Sequence, residues 1–486
     1  MKGIEYSRGG RCPVNHLIKV PKGAPKCPDH PIWLGVLEGS WYDIGKQFGE
    51  SVEVRSYIPP LLDHLFRLAM EKFSIDELLE CLRSMEKQLS LYEPGFVEAL
   101  QGEADGAAEA LSESKYAGAL SDYDKILLIN FNSYPLLYSS LPRHDCSSIV
   151  LLPQATMDGK LITGRNTQLG RAIGNYGVAY AAIPPSPGHR YMTNTYAGML
   201  FGLGIVADTP MYVCTTAGVG QACLGIEETF LLAKAAIFGE NIDEVCDIIL
   251  HGSESYRRTN GRASTLRAYP TNYTIADERD ALILETLIDR WAVRRPGDFG
   301  EMDFIIATNH QLCEYSYDEN DVRTNVPMYH DSICNRFGGC RNEMDPKLKD
   351  KIFAGYDTRD LTIPSPNDGL IGSWTRYWTL YWSAMYNHGK IDMKMLQGPQ
   401  FLGSRFWYDL NGKKIEYQMD PATGTWTLVY YLYPHSTVEG NTGGYPEQYN
   451  NEIPGSLAYV PMDRTAYWQL YKPSMWEGEW EKVTFR

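Results

Sequence analysis

The 486-residue chain is short of positive charge: 45 lysines and arginines face 60 aspartates and glutamates, a formal net charge of −15. A phosphate backbone is bound by clustered Lys and Arg, so this balance argues against nucleic acid as a partner. Basic amphipathic stretches suited to an anionic membrane surface are missing too. No run reaches the roughly 18 apolar residues of a membrane span, and no membrane insertion is expected. Ten cysteines spread over this length do not make a disulfide scaffold. The opening MKGIEYSRGGRCPVNHLIKV lacks the continuous apolar core of a secretion signal, which makes the cytoplasm the expected location. Internal repeats and long low-complexity linkers are absent as well. What remains, 44% hydrophobic and 22% charged residues, is an ordinary globular composition with chain enough for a sizeable core.

Within that composition one cysteine stands at a telling place. Cys146 opens Cys146-Ser147-Ser148-Ile149-Val150, which reads as a short buried strand closed by Pro153. Met157-Asp158-Gly159-Lys160 supplies an Asp-Gly turn, and Leu161 to Thr163 begins a second strand. The hairpin returns Arg165 and Asn166 towards the start of the first strand. A thiol with a pKa of about 8.5 is only a few per cent ionised at neutral pH, so a cysteine nucleophile needs a base within reach. If the bond between Asp145 and Cys146 were cut, the freed α-amine of Cys146, with a pKa of about 8, could be that base. The alternative reading is a small buried hydrophobe in an ordinary hairpin.

The segment HDCSSIVLLPQATMDGKLITGRNT resembles the nucleophile hairpin of cysteine N-terminal nucleophile (Ntn) hydrolases. Further segments follow in family order. Trp41-Tyr42-Asp43-Ile44-Gly45-Lys46-Gln47-Phe48-Gly49 is similar to the "YxxGxxxG" helix of the branch of acyl-CoA:6-aminopenicillanic acid acyltransferases. Thr193-Asn194-Thr195-Tyr196-Ala197-Gly198 is similar to that branch's "TEAG" strand and to a segment of phospholipase B-like proteins. Thr215-Thr216-Ala217-Gly218-Val219-Gly220 resembles "NSAGVGV", Asn272-Tyr273-Thr274-Ile275-Ala276-Asp277 resembles "NYLIAD", and Thr308-Asn309-His310 resembles "TNH".

The resemblance implies Cys146 as nucleophile with its α-amine as base, Arg165 as the cation beside the thiolate, and Asn272 as oxyanion donor. One such donor is typically worth about 10²- to 10³-fold in rate. Asn166, Gln168, Tyr196 and Gln221 are weaker candidates for substrate or oxyanion contacts, and Ser373 with Arg376 match a serine and arginine of the acyltransferase branch. Two departures stand out. Gln168 replaces the aspartate that contacts the nucleophile's amine in many relatives, and Gln221-Ala222-Cys223 lacks a second oxyanion asparagine. The implied activity is cleavage or transfer of an acyl group at a linear amide bond through a Cys146 thioester, on a small-molecule or peptide-like substrate and without a cofactor. A phospholipase B-like esterase and a catalytically inactive scaffold remain alternatives, and a homo-oligomer stays open.

The order of strands, two helices and strands after Cys146 fits an α+β, four-layer αββα sandwich. Residues 1–145 are expected to form a helical pro-segment or small subunit packed on it, and 146–486 the catalytic domain. Ser74 with Glu77 marks a capping box before a helix, a second helix is expected from Phe96 to Leu111, and a third around Lys125 to Leu137. Asn241 with Glu244 caps a helix ending near His251-Gly252. Trp374, Tyr377, Trp378, Tyr381, Trp382 and Met385 mark an aromatic helical face that Gly389 could end, and the stretch from Arg405 to Tyr433 reads as added strands. Cys12, His16, Cys27 and His30 have ligand types compatible with tetrahedral zinc, or are incidental polar residues of a proline-rich arm.

Overall fold

Two clusters of small residues decide how the first helices meet. Helix α1 (Trp41–Glu50) carries Gly45 and Gly49, and α4 (Pro94–Gly106) carries Gly102 and Gly106. A methyl group added at any of the four would overlap backbone of the facing helix, for Gly45 the carbonyl of Ala99. The "YxxGxxxG" pattern is therefore a packing device here, letting two helix backbones touch. In this computed structural model the described residues are 4–7, 32–115, 118–131, 145–168, 177–218, 223–252, 254–260, 264–288, 290–328, 370–398, 401–402, 406–408, 412, 414–419, 426–428, 455–469 and 480–486. The Cys12, His16, Cys27, His30 pattern lies outside them, and no cluster that could hold a metal ion occurs among the described residues.

Around α1 and α4 stand α2 (Val52–Met70), α3 (Ile75–Tyr92), α5 (Ala108–Ser112) and α6 (Asp122–Asn130). Ser74 and Glu77 do form a capping box on α3. The helix expected from Phe96 to Leu111 is two, separated at Ala107, and α6 is capped by Phe131. Later in the chain come α7 (Glu228–Phe238), α8 (Ile242–His251, capped by Asn241), α9 (Glu254–Asn260), α10 (Leu370–Asn387) and α11 (Met393–Gln397).

The strands are β1 (Ile4–Ser7), β2 (Ile32–Glu38), β3 (Asp145–Leu151), β4 (Ile162–Gln168), β5 (Gly177–Ile183), β6 (Tyr191–Tyr196), β7 (Gly204–Ala207) and β8 (Tyr212–Ala217). They continue as β9 (Thr271–Ala276), β10 (Ala281–Thr286), β11 (Trp291–Arg294), β12 (Phe304–Ala307), β13 (Ser316–Tyr317) and β14 (Arg323–Thr324). The last are β15 (Phe406–Tyr408), β16 (Lys414–Met419), β17 (Trp426–Leu428), β18 (Gly455–Val460), β19 (Thr465–Gln469) and β20 (Glu481–Phe485). Among the described residues they make a seven-stranded sheet, β1-β20-β19-β18-β4-β3-β12, and a ten-stranded sheet, β14-β13-β11-β10-β9-β8-β7-β6-β5-β2. A small third sheet, β15-β16-β17, falls where added strands were expected. The stretch before Cys146 is not purely helical: β1 lies at one edge of the smaller large sheet and β2 at one edge of the other.

Side-chain alternation along the strands shows the layers. In β3, Val150 joins Met192, Val206, Ile283 and Trp468 in a core between the two large sheets. Its neighbours Ile149 and Leu151 point the other way, onto Tyr377, Leu380 and Ala384 of α10. The ten-stranded sheet turns Tyr180, Ile205, Val213 and Ile275 onto α1–α4 and α6–α8. The order is helices, sheet, sheet, helix, the α+β αββα sandwich expected from the sequence. No helix among the described residues is long and apolar enough to cross a membrane.

Candidate active site

Strand register brings the site together. In the β3–β4 pair Cys146 lies opposite Thr167 and Ser148 opposite Arg165. Because Val150 faces the other sheet, the alternate residues Ser148 and Cys146 share that face, and Arg165, paired directly with Ser148, shares it too. The result is a buried thiol with a buried guanidinium beside it: Arg165 Nη2 stands 3.9 Å from Cys146 Sγ. Arg165 Nε and Nη1 find no hydrogen-bond partner among the described residues. Across the gap lie Gly204, where a side chain would press within 3.3 Å of the guanidinium, and Cys214, whose thiol is pushed up by burial against the opposing pull of Arg165.

The other side of Cys146 is held by a residue that the sequence marked only as part of a motif. β12 pairs antiparallel with β3, Ala307 opposite Ser148, and continuing that register puts Asn309 opposite Cys146. Asn309 Oδ1 accepts the backbone N–H of Cys146 at 2.7 Å, and its amide donates to the carbonyl of Ala217 at 2.7 Å. Arg376 of α10 donates from Nη2 to the same Oδ1 at 2.8 Å and from Nη1 to the carbonyl of Cys146.

Asn272, in β9, donates its amide to the carbonyls of Thr308 and His310, each at 2.9 Å. Both its N–H groups are thus engaged, and serving an oxyanion would require releasing one. Thr216 adds a second donor to the Thr308 carbonyl at 2.8 Å. His310, buried next to Arg294 and Arg376, is held well below the usual imidazole range, mainly by burial and then by the two cations, so it is neutral. Asn166 faces away from Cys146: its amide donates to the Leu402 carbonyl at 3.0 Å and its oxygen accepts from Ser456 Oγ at 2.5 Å. Tyr196 sits at the end of β6 in the apolar cluster under the first helical layer. The backbones of Asp145, Gln168 and Ser373 are placed, in β3, β4 and α10, but their side chains lie outside the described residues, as does all of Gln221.

Behind Asn309 and Arg376 runs a buried ionic network. Arg294 donates to Glu285 Oε1 at 3.2 Å, to Glu301 Oε1 at 2.9 Å and to the carbonyl of Ile306. Glu285 accepts the backbone N–H groups of Leu312 and Cys313, at 2.9 Å each through Oε2. Two carboxylates on one buried guanidinium are a costly arrangement to form and costlier to break, since removing one partner strands the others.

No protein-family model matches the chain. An uncharacterized protein of Archaeoglobus fulgidus is 25% identical over 417 residues, which cover 73% of this chain and 64% of that protein. The chain thus matches less than two thirds of that relative's length. Among solved structures, the Caenorhabditis elegans ortholog of N-acylethanolamine-hydrolyzing acid amidase is similar over 34% of this chain and 71% of its own, with a TM-score of 0.27 and 15% identity. Two variants of the conjugated bile acid hydrolase of Clostridium perfringens are similar over 67% of this chain and 89% of theirs, with a TM-score of 0.34 and 11% identity.

Proposed function

We propose that the chain is an autoprocessed cysteine Ntn hydrolase acting on a linear amide bond through Cys146. The observation that supports it is the surroundings of that residue. The thiol stands at the start of a strand with an arginine beside its sulfur, and its backbone nitrogen already rests on Asn309. A buried guanidinium with no carboxylate partner among the described residues favours whatever negative charge develops next to it. In the processing step Sγ attacks the carbonyl of Asp145 and its proton passes to the departing nitrogen as the peptide C–N bond breaks, freeing the α-amine of Cys146; water then hydrolyses the resulting thioester, releasing the Asp145 carboxylate and the thiol. That amine would keep Asn309 Oδ1 as its acceptor, supplying orientation that in many relatives comes from the aspartate replaced here by Gln168.

In turnover the amine takes the thiol proton as sulfur attacks the substrate carbonyl. The substrate C–N bond then breaks, the departing amine takes up that proton, and water or a second amine resolves the Cys146 thioester. Transfer to an amine, as in the acyltransferase branch, and hydrolysis differ only in this last step. Asn272 enters as oxyanion donor by exchanging one of its two carbonyl partners for the substrate. Its present commitment to Thr308 and His310 favours a second reading, a scaffold that keeps the fold without activity.

Intact-mass spectrometry of the native protein and of Cys146→Ala separates the two. The first reading expects two fragments dividing before Cys146 in the native protein and one whole chain in the variant. A native chain that stays whole, with Cys146 unlabelled by an electrophilic acyl probe, overturns it.

A further inference from the structure

The two groups that hold Cys146, Asn309 and Arg376, come from segments far apart in sequence, and both segments are anchored to Arg294. On one side Glu285 bridges Arg294 to the N–H groups of Leu312 and Cys313, fixing the end of the segment that begins at Thr308. On the other, Glu301 Oε1 accepts from Arg294 Nη1 and from the hydroxyl of Tyr377, both at 2.9 Å. Tyr377 directly follows Arg376 in α10 and is buried. Its hydroxyl is kept protonated, first by burial and then by the neighbouring carboxylate, so it acts as a donor. A rotation or slide of α10 would carry Arg376 off Asn309 and the Cys146 carbonyl, and the Tyr377 hydrogen bond opposes that movement.

We infer that Tyr377 is a positioning residue for the Cys146 centre, acting through Glu301 and Arg294 to keep Arg376 and Asn309 in register across the sheet. The inference rests on the reading of Cys146 as the reactive residue, but the linkage it describes can be measured apart from that chemistry. Tyr377→Phe removes one oxygen and keeps the ring. Tyr459→Phe is the matched control, since it also removes a buried hydroxyl, one that donates to Ala207 at 2.8 Å in the inter-sheet core.

Two readouts are taken on the full chain. Hydrogen exchange of residues 308–313 and of α10 reports the linkage, and the rate of Cys146 acylation by an electrophilic probe across pH reports its consequence. The expected result is about tenfold faster exchange in both segments for Tyr377→Phe, the opening that loss of one buried hydrogen bond produces. Cys146 acylation is expected to slow with an altered pH profile, and Tyr459→Phe to match the native protein in both readouts. Native-like exchange in Tyr377→Phe overturns the inference whatever Cys146 does. Faster exchange with a native Cys146 that never reacts upholds the linkage and removes the functional reading instead. Equal changes in Tyr459→Phe reduce the effect to general loosening and overturn the inference.

Discussion

Helices α1 and α4 meet backbone to backbone through four glycines, whereas α10 reaches its sheet through charged and hydroxylated side chains, Arg376 and Tyr377. The first helical layer is closed by apolar contact over a wide cluster. The second also has an apolar face, but its polar groups pass beside it to the start of β3, where Cys146 lies. Under the proposed function, the difference separates where stability and chemistry are lodged. Apolar packing is non-directional and tolerates small shifts, while hydrogen bonds to Asn309 and to the Cys146 carbonyl are lost within an ångström. Substitutions in the first layer should therefore act on stability alone, and those around α10 on the reactivity of Cys146 as well.

The largest expected effect is that of Arg294→Met. It leaves Glu285 and Glu301 buried without their shared cation, a loss of about 3–5 kcal/mol. Urea denaturation should show the lower midpoint, and the folded fraction should acylate Cys146 more slowly than the native protein. Gly45→Ala follows, at about 3 kcal/mol, because the overlapping atom is backbone of Ala99 and cannot rotate aside. Here thermal unfolding should shift while Cys146 in the folded fraction reacts at the native rate. A slowed Cys146 in Gly45→Ala would break the separation of the two layers.

The same contrast marks what could be read from sequence. Helical periodicity and caps are local, so the Ser74–Glu77 box and the Asn241 cap were legible, as were the β3–β4 hairpin and its arginine. The alternation of strands and helices gave the sandwich for the same reason. Asn309 had no assigned role because its contact to Cys146 spans 163 positions and depends on β12 pairing with β3. The sequence marked β3 as a strand but neither β12 nor its place beside β3. The Glu285–Arg294–Glu301–Tyr377 network was invisible on the same ground: its members lie on β10, on β11, in the loop before β12 and on α10, and no spacing connects them. Asn272 was found by motif, but its engagement with Thr308 and His310 depends on tertiary contact.

Glu103 offers a sharper test inside the first layer. It is buried on α4, accepts from Asn130 Nδ2 at 3.3 Å, and its carboxyl is raised well above the ordinary value, chiefly by burial. The unfolded chain ionises this group near 4.5, whereas the folded chain keeps its proton to higher pH. Between those two values the folded state binds more protons, so stability falls as pH rises above about 4.5 until the folded-state pKa is passed. Glu103→Gln cannot ionise and should lack that decline. Chemical denaturation at a series of pH values should show the variant gaining on the native protein, by up to roughly 1.4 kcal/mol per pH unit. Parallel curves would mean that Glu103 ionises as it does in water.

The smallest effect tests the layers at their outer edge. Asn241 caps α8, its Oδ1 accepting the backbone N–H of Glu244 at 3.0 Å and its amide donating to Glu244 Oε1 at 3.0 Å. Asn241→Ala leaves that helix end to water and should cost about 1 kcal/mol, seen as a modest drop in Tm. α8 packs on the ten-stranded sheet through Val245 and Ile249, the face turned away from the space where Cys146 lies. Acylation of Cys146 should be unchanged in rate and in pH profile. If so small a loss at a helix end slowed the thiol, the ten-stranded sheet would be transmitting strain between its faces, and the division between a layer for stability and a layer for chemistry would not hold.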